Sequence, residues 1–280
     1  MKRVSLALLA ALALAVSVFA ATGVAAGDRT GTTQPPALTI ATEVGYAPYE
    51  FYASNDTTVE GLDVDLWTAL GKVLNIDFKV QDGTYAGIIP ALESGRAQVG
   101  WSAMALSSFV GLKQAKFLIY ARRTFTGVVV KSGSSITTGL DLCGKSLGFT
   151  YGETPPIAAL QSECKNAGKP AVQILRFEKT PDIILAVESG QVDGRIVDSV
   201  NGNFFVKQSG GKLKFVANVL PVHWIPTGIA VPVGQTALLL KLQHGLQELI
   251  NNGTYGRIFA KWGATATEVK KITVDYDYGT

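Results

Sequence analysis

The chain carries one short unit twice, and this near-repeat limits the possible fold more than any other feature. Its first copy occupies residues 85–104 and reads Ile88-Ile89-Pro90-Ala91-Leu92-Glu93-Ser94-Gly95, then Val99-Gly100-Trp101-Ser102-Ala103-Met104. The second occupies residues 183–198, with Ala186-Val187-Glu188-Ser189-Gly190 followed by Gly194-Arg195-Ile196-Val197-Asp198. Each copy reads as a helix closed by Glu-Ser-Gly that passes into a short apolar strand. Glycine just past the last apolar helical position suits the left-handed residue that ends a helix. The strands finish on small or polar residues, and in open α/β sheets ligands sit beyond the carboxyl ends of the strands. Two such units predict two α/β lobes that present strand ends to a shared cleft.

The rest of the chain alternates in the same way, which argues for α/β sheets throughout. A strand at 38–42 opens into Glu43-Val44-Gly45-Tyr46-Ala47-Pro48-Tyr49, an acid and two aromatics at a strand end. A helix is expected from 61 to about 74, its Asp63 and Asp65 suited to the positive end of the helix dipole. Strands follow at 77–81, 146–150, 171–177, 214–219 and 228–231. Thr180-Pro181-Asp182 reads as the cap and first turn of the second repeat helix. A strongly periodic helix at 236–251 and a shorter one at 254–262 follow, whereas the tail from Thr265 is polar and weakly patterned.

The amino terminus, Met1-Lys2-Arg3 followed by an apolar run through Ala20 and small residues to Ala26, reads as a secretory signal at 1–26. Residues 27–37 read as a flexible, Pro-containing leader. No cysteine lies near the cut, so a lipid anchor through an N-terminal cysteine is not expected. Losing Lys2 and Arg3 lowers the formal charge from +3 to +1, which gives no general footprint for nucleic acid or anionic membrane. Cys143 and Cys164 are the only cysteines. An oxidising compartment favours their pairing, two free buried thiols being the alternative.

Several apparent motifs carry no chemistry. Gly139-Leu140-Asp141-Leu142-Cys143-Gly144-Lys145-Ser146 has phosphate-loop spacing, but a turn precedes it and a strand follows, where the mechanism needs a strand and then a helix. His223 and His244 stand alone, no nucleophile elbow is present, and zinc-ligand spacing is missing. No catalytic residue, metal ligand or cofactor is expected from these patterns.

The order of Tyr46-Ala47-Pro48-Tyr49-Glu50-Phe51, Gly61-Leu62-Asp63-Val64-Asp65-Leu66, Ile89-Pro90-Ala91-Leu92-Glu93-Ser94-Gly95, Val192-Asp193-Gly194 and Gly253-Thr254-Tyr255 resembles the family 3 extracytoplasmic solute-binding proteins. These are the polar amino-acid receptors of ABC importers. The resemblance implies an α/β, two-lobe, periplasmic-binding-protein-like (type II) fold with two crossover hinge segments. It implies lobe 1 at 38–120 and 228–280, lobe 2 at 127–219, and crossings at 121–126 and 220–227. It further implies an exported monomer, periplasmic or extracellular, that hands a small amino acid or amine to a membrane permease.

By the same resemblance the cleft is lined by Glu43 and Tyr46 from the first loop and by Tyr85 over the ligand's side chain. Ser102 and Ala103 offer hydroxyl and backbone groups, Thr154 lies in the loop that holds the ligand's carboxylate, and Asp198 falls where the ammonium is bound. The sequence departs from the family at two places. The arginine that grips the α-carboxylate is replaced at Val110, and Glu153 stands where a small hydroxyl residue is usual. Glu43, Glu153 and Asp198 with Tyr46, Tyr85 and Trp101 then have no evident counter-charge, a box that favours a cation. Arg122 or Arg123 on the first crossing is a candidate for the missing charge. Two other functions fit the same scaffold: a cyclohexadienyl-dehydratase-like enzyme with Glu43 or Glu153 as acid, and a ligand-sensing module.

Overall fold

The computed structural model describes residues 36–54, 57–221 and 224–274. The expected signal at 1–26, nearly all of the leader and His223 lie outside the described residues. The chain first lays down β1 (Ala37–Thr42), the hairpin of β2 (Phe51–Tyr52) and β3 (Val59–Glu60), and α1 (Leu62–Leu74). Next come β4 (Asp77–Asp82), α2 (Ile88–Glu93), β5 (Val99–Ala105) and β6 (Ala115–Thr124). A second run holds β7 (Gly127–Lys131), β8 (Ser146–Thr150), α3 (Ala158–Asn166) and β9 (Gln173–Phe177). It continues with α4 (Thr180–Ser189), β10 (Gly194–Val197), α5 (Ser199–Gln208) and β11 (Leu213–Val216). The chain then returns through β12 (Trp224–Pro232) to α6 (Thr236–Asn251), α7 (Thr254–Lys261) and β13 (Glu268–Val274).

Apart from the β2–β3 hairpin, the strands form two sheets, ordered β13-β6-β12-β5-β1-β4 and β11-β7-β10-β8-β9. In the first, β1 lies parallel to β4 and β5, while β12 and β13 add antiparallel partners. In the second, β8 lies parallel to β9 and β10. Helices cover both faces of each sheet. Leu62, Leu66 and Leu70 of α1 pack with Leu242, Leu246 and Leu249 of α6 on one face of the first sheet, and Ile88 and Leu92 of α2 cover the other. In the second lobe Leu160 and Cys164 of α3 pack on one side, and Ile183, Val187 and Phe205 on the opposite side. β5 is buried along its whole length, as a strand covered on both faces must be.

The two repeat copies become α2 with β5 and α4 with β10, one in each lobe. Gly95 and Gly190 close their helices at φ +73° and +83°, the left-handed conformation that glycine adopts without steric cost. The connections between the sheets run side by side. β6 and β12 pair as far as Thr124 with Trp224, and the Thr126 carbonyl accepts the Val219 and Leu220 amides. Residues 224–227 of the return passage and the strand expected at 228–231 are thus one continuous strand, β12. The β2–β3 hairpin escapes the sequence reading, as do β13, inside the polar tail from Thr265, and α5, a helix that follows Asp198 directly. Cys143 and Cys164 form a disulfide inside the second lobe.

Candidate functional site

The carboxyl ends of β1, β5, β8 and β10 converge on a cavity between the lobes. From the first lobe it is lined by Glu43, Tyr46, Tyr85, Ser102, Ala103 and Ala105. The second lobe supplies Thr150, Glu153, Thr180 and Arg195, and the first crossing adds Arg123 and Phe125.

The first-lobe wall is set by a chain of hydrogen bonds. The Glu43 amide donates to Ser102 Oγ at 3.0 Å, and that hydroxyl donates to Glu50 Oε1 at 2.9 Å. Beside it, β5 departs from regular pairing with β12, the register shifting between Gly228 and Ala230. At this bulge Ala103 takes φ +42°, a conformation that costs a non-glycine residue roughly 1–2 kcal/mol. Both of its peptide groups are held: its amide donates to Asp63 Oδ2 at 3.0 Å, and its carbonyl accepts from Arg123 Nη2. A bulge beside a cavity re-aims the strand's polar groups. Asp63 therefore does more than complement the α1 dipole. It is fully buried, also accepts from Tyr120 Oη at 2.7 Å, and fixes the floor of the site.

Arg123 crosses the middle of the molecule. Its Nε donates to Thr227 Oγ1 at 2.9 Å, and Nη1 donates to Tyr46 Oη and Asp198 Oδ2, each at 3.2 Å. The guanidinium lies 4.9 Å from the ring centres of Tyr49 and Phe125. Burial alone would lower its pKa, but the surrounding tyrosine oxygens and Asp198 push it well above the usual value. It stays charged. In the second lobe, Arg195 projects from β10 and its Nη2 donates to Glu153 Oε2 at 3.3 Å. The Glu153 loop is itself tied down, since Arg176 Nη1 donates to the Thr150 and Glu153 carbonyls at 2.8 Å.

Several contacts hold the lobes together around this space. The Thr180 amide, in the first turn of α4, donates to Glu43 Oε1 at 2.6 Å. Asn201 Nδ2 donates to the Ala47 carbonyl at 2.7 Å, and Lys179 pairs with Asp82 at 2.7 Å. Burial raises the Glu43 pKa, opposed by the Thr180 amide and by Arg195.

Of the residues expected from sequence, Glu43, Tyr46, Tyr85, Ser102, Ala103 and Glu153 meet at the cavity. Trp101, Thr154 and Asp198 are not in its lining. Trp101 points the other way along β5 and is fully buried, its ring 5.9 Å from Trp67 and 5.7 Å from Tyr120. Thr154 lies exposed at the rim, where its amide donates to Ser108 Oγ across the lobes at 2.9 Å. Asp198 caps α5 through the Val200 and Asn201 amides and spends its other oxygen on Arg123. Val110 is exposed and does not line the cavity.

The expected lack of counter-charge is corrected by the structure. Two buried guanidinium groups, Arg123 and Arg195, pair with Asp198 and Glu153, while the Glu43 carboxylate accepts from the Thr180 amide. Of the two arginines on the crossing, strand alternation turns Arg123 inward and Arg122 outward. Arg195 was open to detection in the sequence, because a charge inside an apolar strand is rarely buried without a purpose. Thr150 and Thr180 gave no such signal, since hydroxyl residues at strand and helix ends are ordinary.

The comparisons agree with this architecture. The family described as "Bacterial extracellular solute-binding proteins, family 3" matches residues 38–265. A probable histidine-binding protein of Neisseria gonorrhoeae is 30% identical over 230 residues, covering 80% of this chain and 82% of its own. Relatives in Escherichia coli and Bacillus subtilis are named as arginine- and glutamine-binding proteins of ABC transporters. Among solved structures, an ancestral arginine-binding protein bound to arginine is 31% identical with a TM-score of 0.69, covering 82% of this chain and 99% of that one. The ancestral amino-acid-binding protein AncCDT-1, a precursor of cyclohexadienyl dehydratase, is 25% identical with a TM-score of 0.65, covering 81% and 95%. With two strand-end walls closing on one cavity and a match along nearly all of the described chain, this protein belongs to the family 3 bacterial extracellular solute-binding proteins.

Proposed function

We propose that the chain is an exported, monomeric receptor that captures a small polar amino acid between its lobes and delivers it to the permease of an ABC importer. One observation carries this reading: the cavity takes its lining from both lobes, and contacts such as Thr180 with Glu43 close across it. A solute bound there touches both walls, so binding and lobe closure become one event, as in hinged binding proteins generally. Within the cavity Glu43 and Glu153 face Arg123 and Arg195. That balance suits a molecule with both an anionic and a donor group better than it suits a simple amine.

The test is a thermal-shift and calorimetric screen of protein unfolded, dialysed and refolded to remove any carried solute. The panel holds the amino acids, simple amines and prephenate. At a hundredfold excess over Kd a ligand that binds only the folded form adds about 2.7 kcal/mol of stability. An upward shift with one or a few amino acids is expected. No response to any amino acid would sink the proposal. A second reading, a dehydratase on the same scaffold, is favoured by buried Glu43, whose raised pKa suits an acid, and by the Arg195 guanidinium on the same cavity, which could take a substrate carboxylate. Consumption of prephenate in the same panel would put that reading first.

A further inference from the structure

Arg123 and Arg195 both border the cavity, but they differ in what they have left to offer. Arg123 donates to Thr227, Tyr46, Asp198 and the Ala103 carbonyl, so every nitrogen of its guanidinium is engaged. Its partners are used up in turn. Asp198 Oδ1 takes the Val200 and Asn201 amides and Oδ2 takes Arg123, leaving that buried carboxylate no share for an incoming cation.

Arg195 is in the opposite position. Its side chain is only 1% exposed, and its Nε has no hydrogen-bond partner among the described residues. Its other contacts are long: 3.3 Å from Nη1 to the Gly148 carbonyl, and 3.3 and 3.4 Å from Nη2 to the two oxygens of Glu153. Protein N–H···O bonds mostly fall between 2.7 and 3.2 Å, so this guanidinium is loosely held. A buried donor without an acceptor is unfavourable until something supplies one. The edge formed by Nε and one Nη matches the two oxygens of a carboxylate. The rings of Tyr46 and Phe149 lie 5.8 and 6.0 Å from the guanidinium carbon, so apolar surface borders that edge.

We propose that Arg195 receives the carboxylate of the solute, and that Arg123 has closed Asp198 to the solute's α-ammonium. The proposal rests on the reading of this chain as an amino-acid receptor and makes that reading specific. Recognition is anchored at the acid end, in the second lobe, and the α-ammonium is dispensable. The protein's own guanidinium stands where an α-amino group would otherwise pair.

The experiment compares matched triples on refolded, ligand-free protein by calorimetry: each amino acid, its decarboxylated amine and its acid lacking the α-amino group. Arginine, agmatine and 5-guanidinopentanoate form one set; histidine, histamine and imidazolepropionate form another, with lysine and glutamine sets treated alike. For the amino acid that binds, the des-amino acid is expected within about threefold in Kd, and the amine weaker by a hundredfold or more. Arg195→Met should bring acid and amine to near-equal affinity, and Arg195→Lys should restore part of the preference. Circular dichroism and the unliganded melting midpoint check that both variants fold. An amine that binds as tightly as its parent, or a des-amino acid weakened a hundredfold, overturns the proposal while leaving the receptor reading intact. If no member of any triple binds, the receptor reading falls and takes this inference with it.

Discussion

Glu50 sits at the base of the site with one oxygen on Ser102 and the other without a partner among the described residues. Burial, together with the neighbouring Asp63 charge, holds its pKa well above the usual carboxylate value. A proton on Glu50 answers both problems, because it removes a buried charge and creates a donor beside Asp63. The consequence for stability has a definite sign. Below about pH 4.5 folded and unfolded chains both hold this proton, and the stabilising contribution is complete. As pH rises, the unfolded chain releases the proton first, and stability falls until the raised folded pKa is reached, by about 1.4 kcal/mol per pH unit. Glu50→Gln keeps the shape and removes the titration, so the variant should lose less stability than wild type between pH 5 and pH 8. Urea midpoints at the two pH values measure this. A parallel pH dependence in both proteins would mean that Glu50 ionises normally. None of this was open to the sequence, where Glu50 is one acid in an aromatic loop. Its burial arises from Ser102 and Asp63, brought to it from 52 and 13 residues away.

The elements that were readable are those whose own pattern decides their structure. α6 matches the expected 236–251 because its apolar residues recur at helical spacing and meet α1. β13 was hidden because a strand with alternating burial has a signature, and this one does not: only Ile272 is fully buried, and pairing with β6 supplies the order. α5 was hidden for another reason. Ser199-Val200-Asn201-Gly202-Asn203 holds poor helix formers, and the helix depends on Asp198 accepting its first amides. Cys143 and Cys164 tie the turn after Leu142 to α3 across a separation of 21 residues. On the chain-entropy account such a link stabilises by roughly 3 kcal/mol. Reduction should lower the urea midpoint of the second lobe by a corresponding amount and leave the first lobe's helices in place. Denaturation followed separately by tryptophan fluorescence and by far-ultraviolet dichroism, with and without reductant, reads the effect. The described tryptophans Trp67, Trp101, Trp224 and Trp262 all belong to the first lobe's elements or their flanks. An unchanged dichroism midpoint on reduction would show that the link adds nothing.

At the scale of the molecule, closure depends on how nearly the two walls can approach. Gly45 marks a close approach: a Cβ there would come within 2.7 Å of the Pro181 ring on α4, and φ is +144°. A proline ring at a helix start cannot fold away as a long side chain does. Gly45→Ala should keep both lobes folded, hold them apart, and weaken solute binding tenfold or more, about 1.4 kcal/mol. Small-angle scattering would then show a larger radius of gyration in saturating solute than for wild type. Tight binding with normal compaction would show that the approach is slack. The two-lobe division itself was legible, because each copy of the helix–glycine–strand unit carries its own lobe. The charge balance between the lobes was not, since Arg123 and Arg195 lie 72 residues apart and meet only once the walls face each other.

The interrupted path of the chain has a consequence for how the protein is made. A polypeptide delivered amino end first presents every residue of the β7–β11 sheet while its host is still missing β12, α6, α7 and β13. The inserted half can finish early. The half that surrounds it must wait with an uncovered face and an open strand edge until the final fifty or so residues arrive. A premature stop late in the message would therefore spare the insert and ruin its frame.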